Sequence, residues 1–188
     1  DRENCVGCGA CVEYCKQNNL IASRDAIAVL EMLAGKKEGQ LVYAMIAPAF
    51  LGQFQDQVTP GKLRTCLKLL GFDGMLEVAV FADILTLKES YEFVNNILDD
   101  DDYQLTSCCC PIWIAMIRRV YDELIPHVPP AVSPMGACGR TVKHLHPDAI
   151  TVFIGPCIAK KAEAREADVQ DAVDYVLTFQ EVLDIFNA

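Results

Sequence analysis

One near-continuous apolar run constrains the fold of this chain more than any other feature. Residues Leu41–Ala47 have the sequence LVYAMIA, and Pro48 ends the run. A strand that is apolar on both faces has to be covered on both faces, which is typical of a parallel sheet between helices. Proline has no N–H to donate to a sheet, so the strand cannot continue through it. The run therefore predicts a buried strand of an α/β fold.

Strand-like and helical stretches alternate along the rest of the chain. Further strands are predicted at Leu76–Phe81, Ile150–Ile154 and Tyr175–Leu177. Helices are predicted at Asp25–Ala34, Thr59–Gly71, Asp83–Leu98, Pro111–Leu124, Pro134–Leu145 and Phe179–Phe186. Strands separated by helices of this length imply βαβ units and a mostly parallel sheet flanked by helices.

Three unusual segments follow the predicted elements. They are Ala47-Pro48-Ala49, the triplet Cys108-Cys109-Cys110, and Gly155-Pro156-Cys157. Cofactors in parallel sheets bind beyond the carboxyl ends of the strands. We therefore expect the three segments to meet at one site, each at the end of a strand.

The charge and hydropathy of the chain exclude several classes of partner. The formal net charge is −10 and the sequence pI is about 4.7, whereas proteins that bind nucleic acid carry basic surfaces. No apolar run approaches the roughly 20 residues that a membrane span needs. We expect no nucleic-acid partner and no membrane span.

The cysteines indicate metal ligation in a reducing compartment. There are 10 in the chain, and three consecutive cysteines suit no ordinary disulfide framework. Disulfide-stapled chains are also usually short and poor in apolar core, whereas 52% of these residues are hydrophobic. We predict thiolates that bind metal, and a cytoplasmic location.

The first four cysteines have the spacing of a bacterial ferredoxin cluster. The pattern is Cys5-x2-Cys8-x2-Cys11-x3-Cys15. Gly7 and Gly9 permit tight turns between these ligands. Zinc is the alternative, but zinc sites usually consist of two separated pairs. The pattern predicts a [4Fe-4S] cluster in a partial ferredoxin-like segment, residues 1–23, ahead of a domain at residues 24–188.

The last cysteine of this segment has an open assignment. In two-cluster ferredoxins the fourth cysteine of such a run binds the other cluster, so Cys15 would serve a second cluster and the first would lack a thiolate. Proline usually follows that cysteine, and here Lys16 does. We expect the segment to be part of something longer.

Four further motifs carry a resemblance to a known family. The first is Thr106-Ser107-Cys108-Cys109-Cys110-Pro111-Ile112-Trp113, and the second is Pro156-Cys157-Ile158-Ala159-Lys160-Lys161-Ala162-Glu163. The others are Ala47-Pro48-Ala49-Phe50 and Ser133-Pro134. In this order they resemble the catalytic domain of iron-only ([FeFe]) hydrogenases, and they cover about residues 40–165. The resemblance implies one lobe of that domain, with its second, C-terminal lobe missing.

The resemblance also implies an H-cluster and its surrounding residues. In the family a [4Fe-4S] cube is bridged to a diiron subcluster that bears CO, cyanide and a dithiolate. Cys110 and Cys157 resemble two cube ligands, Cys109 the thiol that relays protons, and Lys160 the lysine that hydrogen-bonds a cyanide. Glu89 and Glu92 resemble the two glutamates of the proton path, although a solvated pair on an amphipathic helix explains them almost as well. The residues expected around the diiron unit are Ala47, Pro48, Ala49, Ser133, Pro134, Met135 and Pro156.

Several positions depart from the family pattern. Pro129 falls where the proton path has a serine, Gly155 where a methionine is usual, and Met135 where a glutamine is expected. These departures resemble the sensory branch of the family. We assign Cys108 to packing and expect Cys66 and Cys138 to be buried structural residues.

The resemblance implies reversible conversion of protons and electrons into H2. Its partners would be H2, protons, ferredoxin or another electron carrier, and the remainder of the protein's own chain. The family's third signature supplies the last two cube cysteines, and no cysteine follows Cys157. We therefore expect these residues alone to be inactive. A slow hydrogen or redox sensor and a non-hydrogenase iron–sulfur assembly protein are the alternatives.

Overall fold

A four-stranded parallel sheet forms the centre of the fold. The computed structural model describes residues 5–17, 19–54, 57–99, 101–105 and 109–187. The strands are β1 (Val42–Ile46), β2 (Gly74–Glu77), β3 (Ile150–Gly155) and β4 (Tyr175–Thr178). They lie in the order β2-β1-β3-β4, and each pairs in parallel with its neighbours. The predicted α/β class with a parallel sheet is confirmed.

Eight helices surround or precede the sheet within the described residues. They are α1 (Ala10–Glu13), α2 (Ala26–Ala34), α3 (Pro60–Leu69), α4 (Ala79–Asn96), α5 (Pro111–Val120), α6 (Pro134–Leu145), α7 (Ala159–Glu163) and α8 (Phe179–Asn187). Short 3-10 turns occur at Pro48–Phe50 and Asp122–His127. None of the described helices combines the length and the apolar character that crossing a bilayer requires.

Three of the predicted elements differ from the structure by more than two residues at one end: the strand at Leu76–Phe81 and the helices at Asp83–Leu98 and Pro111–Leu124. The strand predicted at Leu76–Phe81 ends at Glu77, and α4 begins at Ala79. Val78 makes the last ladder bond, from its N–H to the Ile46 carbonyl, and its own carbonyl then accepts from Ala82 to start the helix. An apolar run of this length does not distinguish a strand from a helix start. The helix predicted to reach Leu124 ends at Val120, before the 3-10 turn that contains Pro126.

The two central strands carry the core. Val42, Ala44 and Ile46 of β1, and Val152 and Ile154 of β3, are fully buried. Helix α6 packs against both of these strands, α8 against β3 and β4, and α3 against β2. The apolar run that the sequence places at residues 41–47 is therefore covered as predicted.

Two aspartates fix the amino ends of the central strands. Asp73, just before β2, accepts a hydrogen bond from the Val42 N–H of β1 at 2.6 Å, and Asp174, just before β4, accepts one from the Thr151 N–H of β3 at 2.8 Å. Lys36 and Lys143 pair with these carboxylates. Burial opposes ionisation of Asp73, but the hydrogen bonds from Lys36 and Val42 outweigh it and hold the pKa of its carboxyl below the ordinary value.

The strand order places a topological switch point between β1 and β3. From β1 the chain leads outward to β2, and from β3 it leads outward in the opposite direction to β4. Crossovers of parallel strands are right-handed, so connections that leave in opposite directions cover opposite faces of the sheet. Ligands in such folds bind beyond the carboxyl ends of the two strands at the switch point, which here are β1 and β3. Ala47 and Pro156 follow these two ends.

A buried ion pair joins α7 to the sheet and to α8. The Lys161 Nζ lies 3.0 Å from Glu181 Oε2 and donates to the Val176 carbonyl at 2.6 Å. Glu181 also accepts hydrogen bonds from the backbone N–H groups of Asp25 and Thr178. Burial opposes ionisation of Glu181, but these backbone bonds and the Lys161 ammonium together lower the pKa of its carboxyl.

We expect Glu181→Gln to flatten the acid dependence of stability. A carboxyl whose pKa is lowered in the folded state stabilises the fold above its unfolded value of 4.5, and that stabilisation is lost as the pH falls below it. At pH 7 the variant should lose about 3 kcal/mol in free energy of unfolding, because Lys161 keeps its buried charge and only Asp25, at 3.5 Å, remains to balance it. Urea denaturation from pH 7 to pH 3 measures both effects. Glu38→Gln, at an exposed glutamate, is the control, and an equal pH slope in parent and E181Q would contradict the assignment.

Candidate functional site

The amino-terminal cysteine loop packs against α7. An added Cβ on Gly7 would lie 3.5 Å from the Ala162 Cβ, and an added Cβ on Gly9 would collide with the side chain of Ile158. From the other side, the Arg119 guanidinium of α5 donates to the Cys5 carbonyl. The loop that carries the first three cysteines is therefore held beside the residue that follows Cys157.

The two glycines of this loop have a backbone that other residues rarely adopt. Gly7 has φ 72° and Gly9 has φ 78°, which is the left-handed region where a Cβ is strained. Gly9 also leads directly into α1, which carries Cys11. Turns of this kind suit the short spacing between the cysteines of the predicted [4Fe-4S] cluster.

The four cysteines of the amino-terminal segment differ in exposure. Cys5, Cys8 and Cys11 are exposed, and Cys15 is half-buried. Among the described residues, no three Cys, His, Asp or Glu side chains converge as they would on one metal ion. A donor set of sulfur atoms alone is the one that iron–sulfur clusters use.

Three X-Pro pairs shape the loops of the predicted hydrogenase-like site. Pro48, Pro111 and Pro134 each occupy the first turn of a helix or 3-10 turn. The residues before them are extended: Ala47 has ψ 147°, Cys110 ψ 111° and Ser133 ψ 158°. Proline fixes its own φ for a helix start and excludes the preceding residue from the helix. Each predicted site residue before a proline is therefore held at a helix start.

The loops that carry the predicted site residues differ in exposure. Ala47 is buried and its N–H donates to the Ile154 carbonyl at 2.8 Å, which joins the two central strands at their carboxyl ends. Cys157 is half-buried. The exposed members of the predicted set are Pro48, Ala49, Cys109, Cys110 and Pro156.

One expectation about the cysteine triplet is wrong. It does not follow a strand, because described residues 101–105 contain none, and Cys110 instead directly precedes α5. Cys108 lies outside the described residues. A side chain from α7 brings the remaining cysteines to the site: the Lys160 Nζ donates to the Cys109 carbonyl at 2.9 Å. Residues from the two cysteine signatures thus meet directly.

Glu163 extends this contact to a third loop. Its Oε2 lies 2.7 Å from the Lys160 Nζ, close enough for an ion pair but not aligned for a hydrogen bond. Its Oε1 accepts a hydrogen bond from the Ser133 hydroxyl. Ser133 and Glu163 are both buried, so the network lies largely out of water. Glu163 is absent from the predicted site, although its spacing of three residues from Lys160 is that of neighbours on one helix face.

The structure shows how two positions that depart from the family pattern, Met135 and Gly155, are packed. Met135 is 1% exposed and belongs to the hydrophobic core. At Gly155 an added Cβ would lie 2.5 Å from the Phe153 ring and 3.3 Å from the Ala47 Cβ. A methionine would not fit there unless the buried Phe153 moved, so the ring fills the space that a longer side chain would need.

Glu89 and Glu92 lie on a half-buried side of α4. The opposite side of the helix presents an apolar stripe in which every side chain is more than half exposed: Val80, Ile84, Leu87, Tyr91 and Val94. Helix α4 packs on α6. The glutamates therefore do not form the solvated face of an ordinary amphipathic helix, whose apolar side is the covered one.

Two cysteines outside the motifs differ in their surroundings. Cys138 is fully buried, as predicted, and burial raises the pKa of its thiol to about 12. Cys66 is exposed on α3, so the prediction that it is buried is wrong. It lies one residue before the buried Leu67, and neighbouring helix positions point about 100° apart.

Each of the two parts of the chain matches a known protein family. Residues 40–188 match the family model described as iron only hydrogenase large subunit, C-terminal domain, and residues 1–20 match a 4Fe-4S binding domain. Iron hydrogenase 1 of Clostridium pasteurianum is 31% identical over 75% of this chain and 26% of its own length. The periplasmic [Fe] hydrogenase large subunit of Nitratidesulfovibrio vulgaris is 30% identical over 97% of this chain and 55% of its own.

A relative of another kind also matches. A probable cytosolic Fe-S cluster assembly factor of Drosophila virilis is 29% identical over 65% of this chain and 29% of its own length. The chain thus spans between about a quarter and just over half of the length of these relatives. The family match alone covers more than half of the chain. The chain therefore belongs to the family defined by the C-terminal domain of the iron-only hydrogenase large subunit, and a 4Fe-4S binding segment precedes that domain.

Proposed function

We propose that the complete polypeptide is a hydrogenase that binds an H-cluster and interconverts H2 with two protons and two electrons. The observation that carries the proposal is the contact of Lys160 with the Cys109 backbone. An assembly protein that needs only cube ligands has no use for a cation and a second thiol at this point. The pairing of these two residues favours chemistry at a diiron unit.

The residues present fit this group. Cys110 and Cys157 supply two thiolates for the cube, and the rest of the polypeptide supplies the other two. The Lys160 ammonium has a side chain only 13% exposed, which suits a donor to an anionic ligand because hydrogen bonds to charged groups strengthen away from water. The bound H-cluster supplies the reversible cleavage and formation of H2.

Cys109 is the proposed proton carrier. Its thiol holds a proton at Sγ and exchanges it with the reacting site, while the bond from Lys160 fixes the carbonyl of the same residue. Fixing the backbone matters because a proton donor has to remain within hydrogen-bond reach of its acceptor. The proline after Cys110 restrains the other end of this loop.

Lys160 is the proposed donor to a cyanide ligand, and Glu163 holds it in position. One oxygen of the Glu163 carboxylate lies beside the ammonium, and the other accepts a hydrogen bond from the Ser133 hydroxyl. A lysine side chain has many rotamers, and immobilising it beforehand lowers the entropy lost on binding. The loops at Ala47, Pro48, Ala49, Ser133, Pro134 and Pro156 then line the diiron unit, with Met135 supporting them from the core.

The amino-terminal segment is the proposed entry point for electrons. Its cysteine loop contacts Ile158 and Ala159, next to Cys157. A ferredoxin or another carrier would exchange electrons with the [4Fe-4S] cluster of Cys5, Cys8, Cys11 and, for that cluster or a second one, Cys15. A cytoplasmic location remains a prediction from the many reduced cysteines.

A slow hydrogen or redox sensor is the second candidate function. The close packing of Phe153 over Gly155 favours it, because a glycine there cannot provide the thioether contact of the usual methionine. Pro129 favours it as well, since proline cannot donate a proton to a relay. The two candidates share the cofactor and differ in turnover rate and in whether a signalling domain follows.

The cluster assignment predicts that Cys11→Ser lowers the iron content of the protein. After anaerobic reconstitution with iron and sulfide, the variant should lose the paramagnetic signal of the reduced cluster, because serine replaces a soft thiolate ligand. Cys66→Ser is the matched control, as Cys66 is an exposed cysteine outside the motif. Equal iron content and an unchanged signal in both variants would remove Cys11 from the ligand set.

The proton-carrier role predicts a separation of activity from cofactor binding in Cys109→Ala. The complete polypeptide, matured with a synthetic diiron complex, should lose H2 production by about 100-fold or more, the usual contribution of general acid–base catalysis. Its CO and cyanide infrared bands should remain. Absence of those bands in the parent protein would refute the hydrogenase proposal. Full activity in the variant would show that Cys109 is not the proton carrier.

The cyanide-binding role predicts shifted infrared bands in two variants. Lys160→Met should move the cyanide stretches and lower activity about tenfold or more, because groups around a metal centre commonly contribute that much. Glu163→Gln should move the same bands less, since the ammonium stays but loses its ion pair. Glu166→Gln, which breaks only the exposed pair with Arg118, should leave the bands in place; identical spectra in all three would contradict the assignment.

A further inference from the structure

Lys88 of α4 connects Glu92 to a proline-rich loop. Its Nζ lies 2.7 Å from Glu92 Oε1, one helical turn away, and donates to the Pro130 carbonyl at 3.2 Å. A lone ion pair on a helix surface contributes little. Here the ammonium has two acceptors on different elements, so it also fixes where the carboxylate lies relative to the loop.

The loop itself can offer Glu92 no hydrogen bond from its two prolines. Pro129 is buried and Pro130 follows it, and neither has an N–H to donate. A carboxylate beside a carbonyl oxygen places two acceptors together, which is unfavourable without a donor between them. The Lys88 ammonium contacts both groups: it forms an ion pair with the Glu92 carboxylate and donates to the Pro130 carbonyl, so it links two groups that would otherwise repel each other.

The second oxygen of Glu92 is left without a donor. Oε2 is buried and accepts no hydrogen bond from the described residues. A buried carboxylate oxygen in this state is costly unless water or a proton satisfies it. One carboxylate oxygen of Glu92 is thus paired with an ammonium, and the other can accept a proton from a proton carrier.

We propose that Lys88 is a positioning residue that holds Glu92 against the Pro129–Pro130 loop and thereby slows proton transfer through it. Each transfer that uses Oε1 has to break the ion pair with the ammonium, and turning the carboxylate breaks the link to the loop. This inference rests on the proposed function, in which Glu92 carries protons to Cys109. It makes Lys88, in addition to the proline at position 129, a determinant of turnover.

Lys88→Met should release Glu92 and raise proton-limited turnover of the matured complete polypeptide several-fold. Its solvent isotope effect should fall at the same time, because proton transfer limits the rate less. Lys88→Arg keeps the charge and the donors, so it should behave like the parent. Lys68→Met, at an exposed lysine of α3, controls for the loss of one surface charge.

A combined variant tests whether the loop and the lysine act together. Pro129→Ser alone should change turnover little, because Lys88 still holds Glu92. When Pro129→Ser is combined with Lys88→Met, turnover should rise by more than the product of the two single effects. Unchanged turnover and isotope effect in Lys88→Met, with normal infrared bands, would overturn the role of Lys88 and leave the proposed function standing.

A stability measurement keeps the inference testable if the H-cluster is never detected. The losses of unfolding free energy in Lys88→Met, Glu92→Gln and the double variant should be non-additive, because the two residues share one interaction. Additive losses would show that Lys88 does not hold Glu92. Infrared bands that never appear, together with non-additive losses, would refute the hydrogenase proposal while supporting the contact.

Discussion

The two adjacent lysines of α7 reach different parts of the fold, and the site depends on this difference. Lys161 lies in the core, bound to Glu181 and to the Val176 carbonyl of β4, whereas Lys160 reaches the Cys109 carbonyl and Glu163. Neighbouring helix positions point about 100° apart, so anchoring one side chain orients the other. Desolvating an ammonium is expensive and is tolerated only with close partners. The core cation thus determines the direction of the site cation, and with it the approach of the two cysteine signatures.

Much of the fold was predictable because its signals are local. The run at residues 41–47, the X-Pro pairs and the capping hydroxyls of Thr59 and Ser133 each act within a few positions, and the strands and most helices lie where these patterns indicate. The start of α4 was not predictable, because Val78, Ala79 and Val80 are compatible with both a strand and a helix. The missing information there is tertiary: the Ile46 carbonyl ends the ladder at Val78.

The site was predictable in its list of residues and less so in its arrangement. The cysteine spacings and the lysine were evident in the sequence, because ligand chemistry restricts them to a few residue types. The contacts of Glu163 with Ser133 and of Lys88 with Pro130 join positions 30 and 42 residues apart. No local pattern indicates such a contact. The same holds for Gly155, whose lack of a side chain is explained only by the Phe153 ring that lies over it.

The apolar stripe of α4 has a consequence for how the chain behaves at high concentration. Its side chains recur at intervals of four and three residues along one exposed face, and exposed apolar surface of this kind promotes association between molecules. The net charge of −10 opposes such association by mutual repulsion. Added salt screens that repulsion over a distance of about 8 Å at physiological ionic strength but leaves the stripe unchanged. The colloidal stability of these residues on their own should therefore decline as ionic strength increases.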